Sequence, residues 1–90
     1  MIDNTRLIER LTDLAAECKT TAADYNQVYI SSPAHELLKL HDTLLFLVSC
    51  LKDNTIGLAD WPEIAYAFVL ATEKNLPKMK QQQTEIELTQ

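Results

Sequence analysis

The chain reads as a succession of helical hydrophobic periods. In the first third, Leu7, Leu11, Leu14, Cys18, Thr21, Tyr25 and Val28 are spaced alternately by four and three. That is the heptad signature of a helix presenting one seam to a neighbour. Thr21 is its one polar member, with Ala22 beside it, and Arg6, Glu9, Arg10, Asp13, Glu17, Asp24 and Gln27 take the opposite side. With Asp3 or Asn4 placed as N-cap, the pattern predicts a helix from Thr5 to Tyr29, about 37 Å long.

Ser31-Ser32-Pro33 then breaks the chain and restarts it. A serine cap followed by proline in the first turn, where no backbone N–H is needed, predicts a second helix over Pro33 to Asp53. Its polar residues His35, Lys39, Asp42, Ser49 and Asp53 form one narrow stripe, and Leu37, Leu38, Leu40, Leu44, Leu45, Leu47, Val48 and Leu51 cover most of the rest. A helix apolar around so much of its circumference is expected to be the central one, enclosed by others.

Residues 54–59 form a short connection that holds the only glycine. Asp60-Trp61-Pro62-Glu63 has the order of a capping box with proline in the first turn. It predicts a third helix whose inward face is Trp61, Ile64, Ala65, Phe68, Ala71 and Thr72. Pro77 should end or kink that helix near Asn75. This divides the chain into a bundle domain over 1–76 and a polar C-terminal helix or frayed tail over 77–90. The expected fold is all-α: a small three-helix bundle built on a long antiparallel helical hairpin, with a fourth helix if the tail forms one of its own.

Composition agrees. Ninety residues make one domain, and one glycine with three prolines is too few turn formers for a sandwich or barrel. Thirteen acidic residues against eight basic ones leave a net charge of −5, with no basic stretch denser than Lys78-Met79-Lys80. Direct nucleic-acid binding is therefore not expected. The amino terminus lacks the basic-then-apolar order of a signal peptide. The greasiest run, Leu44 to Leu51, is far short of the ~20 residues that cross a bilayer. Two cysteines in such a chain read as reduced thiols, and a cytoplasmic location without membrane contact is expected.

Candidate chemistry is thin. His35 and His41 are six residues apart on one helix, so they diverge by about 120° where a ligand pair wants a spacing of three or four. His41 aligns with Leu37, Leu44 and Val48 and reads first as a core or interface histidine hydrogen-bonded to a neighbour, then as a pH switch or a ligand. In a hairpin turning near residue 31, Cys18 and Cys50 are separated by about 9 Å of helical rise, beyond disulfide reach. Both read as small hydrophobes. Glu9, Asp13 and Glu17 share an arc with Arg6 and Arg10, so they read as a solvated face with i,i+3 and i,i+4 pairs rather than a cation track. No catalytic group, cofactor or metal is expected.

Phe46 is the exception to the pattern. It falls within the polar stripe 35, 39, 42, 49, 53. A single exposed phenylalanine is ordinary, but with Leu45 and Leu38 beside it, and Trp61 at the first turn of the next helix, it marks a candidate partner-binding surface. The leading expectation is a non-enzymatic protein–protein interaction module of the inhibitor, adaptor or chaperone type, a class that includes phage-encoded proteins directed at host defence proteins. The alternative is a homo-oligomeric bundle, a homodimer in its simplest form, serving as scaffold or small-ligand binder.

Overall fold

In the computed structural model, residues 4–25, 28, 30–53 and 60–89 are described. They form three helices, α1 (Asn4–Ala23), α2 (Pro33–Asp53) and α3 (Trp61–Leu88). Two tie points with equal offset set the direction of α3 against α1. Arg10 meets Glu73 and Glu17 meets Lys80, both pairs 63 residues apart, so the two helices run parallel and in a constant heptad register. Antiparallel direction for α2 follows from its contacts with α3, Ala34 with Gln83 at one end and Phe46 with Trp61 at the other. The path is up, down and up, and the expected all-α bundle on an antiparallel hairpin is the fold.

Each helix contributes one seam to the core. On α1 it is Leu7, Leu11, Leu14, Cys18 and Thr21, all buried, with Ala15 and Ala22 beside them. On α2 it is Ala34, Leu37, Leu44, Val48 and Leu51, joined by Leu47, with half-buried His41 in the intervening seam position. On α3 it is Ala65, Val69, Thr72, Leu76 and Gln83, with half-buried Met79 and Ile86 completing the alternation of four and three. Leu11, Leu37, Leu44 and Val69 have no exposed surface, and each such side chain contributes about 1.5–3 kcal/mol of hydrophobic free energy. Buried Thr72 satisfies its hydroxyl on the Phe68 carbonyl at 2.8 Å, one turn back.

Several sequence expectations change here. The first helix is shorter than Thr5–Tyr29: it stops at Ala23. The Asp24 N–H is shared between the Thr20 and Thr21 carbonyls, and the Tyr25 N–H turns to Ala22, the tightened last turn common at helix ends. Tyr25 instead sends its hydroxyl to the Lys80 carbonyl of α3 at 3.2 Å. Tyr29 and Asp3 lie outside the described residues, as does the 54–59 connection.

α2 keeps its expected bounds and its serine cap, the Ser32 Oγ accepting from the His35 N–H at 3.3 Å. It is not enclosed on all sides, however, because Leu38, Leu45 and Phe46 face outward. Two neighbours at a three-helix corner cover only about half of a helix's circumference.

At the start of α3, Asp60 accepts the Ile64 N–H through its backbone carbonyl at 3.0 Å but makes no side-chain capping bond. Its φ of −92° and ψ of 0° depart from the extended conformation that lets a cap side chain reach the third N–H. Ile64 and Ala71 are exposed rather than inward, and Val69 takes the core position instead. Pro77 neither ends α3 nor separates a fourth helix among the described residues; the helix passes through it to Leu88. Pro77 sits on the exposed side, where water can take over from its missing N–H, while the seam on the other side continues uninterrupted.

The result is a rod of 47 × 20 × 17 Å. Its radius of gyration is 14.4 Å, where a compact chain of this length has about 12 Å.

Candidate interaction surface

The outward side of α2 carries the apolar residues singled out from sequence. Leu38 and Leu45 are seven residues apart and therefore share a line, at 38% and 39% exposure, while Phe46 beside them is 56% exposed. Phe46 does not stand alone. Its ring meets that of Trp61 edge to face, with centroids 6.3 Å apart and planes at 77°, the arrangement preferred by aromatic quadrupoles. Trp61 is half-buried against the core, so it serves more as a support for Phe46 than as an exposed anchor. Its indole N–H is buried with no acceptor among the described residues. Ile64, one turn further along α3, is 47% exposed and lies on the same side of that helix as Trp61. Its exposure was not anticipated; the seam 65, 69, 72, 76 in the sequence places 64 off the core line.

Charges border this apolar strip. Lys39, Asp42 and Asp53 are exposed along the same side of α2, and Lys39 also reaches Glu36 at 3.5 Å. His41 is half-buried, with its Nδ1 3.1 Å from a carboxylate oxygen of Asp42. His35 lies on the stripe at the start of α2, one turn and a half away from His41.

The two thiols are free and buried. Burial pushes the Cys18 thiol above its ordinary range, Glu17 adds to that shift, and the Lys80 ammonium opposes it. Among the described residues, no three His, Cys, Asp or Glu side chains converge as a metal site, and no helix is long and apolar enough to cross a membrane.

On the opposite flank, Arg10 bonds Glu73 at 2.8 Å and lies over the Tyr66 ring at 5.7 Å. The hydrogen bond to Glu73, with that carboxylate's charge, holds the guanidinium above its already high pKa. Arg10 and Glu17 thus reach across to α3 rather than along α1, as the i,i+3 and i,i+4 reading had them. A shallow open groove lined by Ser31, Pro33, Gln82, Glu85, Ile86 and Thr89 lies at the far end of the rod. No family model matches the chain, and neither a curated protein nor a solved structure is significantly similar to it.

Proposed function

We propose that this chain is a non-enzymatic protein–protein interaction module whose docking face is the outer side of α2 with the first turn of α3. The observation that carries the reading is the exposed strip of Leu38, Leu45 and Phe46, buttressed by Trp61 and extended by Ile64. Leucine and aromatic side chains grouped on a rigid helix, with charged residues at the border, have the composition of an interface centre with a polar rim. Lys39, Asp42 and Asp53 at that border favour a partner that sets opposite charges against them. The action of such a module is occlusion or bridging, as an inhibitor, adaptor or chaperone.

Affinity capture from the native host, read by mass spectrometry, tests this with Phe46→Asp as the paired control. A partner retained by the natural chain and lost by at least tenfold with the variant supports the reading. A partner captured equally by both removes the assignment of this face.

A further inference from the structure

We infer that the outer face of α2 pairs with the same face of a second copy of this chain, antiparallel about a two-fold axis at Phe46. The inference rests on the reading of this face as a protein-docking surface and names its occupant. Lys39, Phe46 and Asp53 are all exposed and follow one another at intervals of seven, so they lie in one line along the helix. The ammonium stands about 10 Å to one side of the phenylalanine and the carboxylate about 10 Å to the other. An axis through Phe46 therefore brings Lys39 of each copy level with Asp53 of the other. Two opposite-charge pairs then flank an apolar centre built from Phe46 and Leu45 of both copies. Asp42 falls within one residue's rise of Ser49 of the other copy, whose hydroxyl can donate to a carboxylate.

Other alignments of the same faces are worse. Parallel pairing sets Lys39 on Lys39, Asp42 on Asp42 and Asp53 on Asp53, which like-charge repulsion disfavours. Moving the antiparallel axis one turn back places Asp42 against itself, and moving it almost one turn forward sets Leu45 against Asp53. Glu36 competes for Lys39 within its own helix, but over 3.5 Å between exposed groups that contact is weak.

The rod as a whole carries more surface than a compact chain of its mass. The chain exposes 5975 Å², whereas a compact monomer of 10.2 kDa exposes roughly 5300 Å².

Light scattering and sedimentation equilibrium of the full chain, from low micromolar to about 0.5 mM, test the pairing. The expected species is a dimer. Lys39→Asp and Asp53→Lys each weaken it about tenfold or more, because each converts two attractive pairs into repulsive ones. The double variant K39D/D53K returns the affinity close to its starting value, since the swapped charges again oppose each other. Both charge sites are exposed, so these variants keep the fold, which circular dichroism verifies. A chain that stays monomeric over the whole range, or a dimer indifferent to both single swaps, overturns the inference. Neither result removes the broader docking reading, which falls only if Phe46→Asp leaves partner capture unchanged.

Discussion

Gln83 occupies a position the heptad would assign to leucine. It is fully buried, and its carbonyl oxygen accepts the Ala34 N–H at 3.1 Å. The first N–H groups of a helix have no partner within it. After Pro33, which has none to offer, the next donor of α2 is met by a side chain from α3. Gln83→Leu keeps the volume and removes the acceptor, so it should cost about 1–3 kcal/mol, read as a lower urea midpoint at unchanged m-value. At Cys18 the consequence is one of pH. The folded thiol ionises at higher pH than the ordinary 9.0, mainly through burial. Its contribution to stability is thus complete below that ordinary value and is lost as pH rises from there through the folded value. Denaturation curves should show this loss above about pH 9, and Cys18→Ala should remove it. The thiol should also resist alkylation until the chain unfolds.

At the scale of the element, α3 is where sequence reasoning and structure diverge. A proline in a helix interior costs about 3 kcal/mol, so ending the helix near Asn75 follows from local propensity alone. The counter-signal was in the sequence: 65, 69, 72, 76, 79, 83 and 86 keep the alternation of four and three straight across Pro77. Burial of that seam against two neighbours outweighs the local cost. Pro77→Ala should therefore stabilise the protein, by about 1–3 kcal/mol, and raise its melting temperature. Removing residues 77–90 should do the opposite, because Met79 packs on the core, Lys80 holds Tyr25 and Glu17, and Gln83 caps α2. The truncated chain is expected to melt well below the full one, with reduced helicity by circular dichroism. α2 was legible to its bounds and α1 to within two turns, since their seams and the Ser32-Pro33 start signal agree with each other.

For the molecule as a whole, the inferred pairing through α2 would make stability a function of concentration. Whatever binds only the folded chain raises its melting temperature by mass action. A hundredfold increase in chain concentration should then raise the melting temperature by several degrees, and Phe46→Asp should abolish that dependence. The same substitution costs the monomer only about 1 kcal/mol, the scale of one aromatic pair, so the two effects separate in a dilution series. Phe46 was visible in the sequence as a fault in a polar stripe, with Leu45 and Leu38 beside it. Ile64 was not, because grouping it with Trp61 and Phe68 drew an inward arc wider than the 65, 69, 72, 76 seam that packing buries.

The sequence by itself determined that the elements are helices and where each of them begins, because heptad spacing and proline–serine punctuation act within a few residues along the chain. It also determined that α2 carries more apolar surface than a helix of its length needs. Only the tertiary structure decided that α3 passes through Pro77, that Gln83 is a buried cap, and that Arg10 and Glu17 pair with α3. Each depends on a partner 49 to 63 residues away or on core burial that a local pattern cannot weigh. Tertiary packing likewise left the Phe46 side of α2 uncovered, since two neighbouring helices shield only part of a helix's circumference.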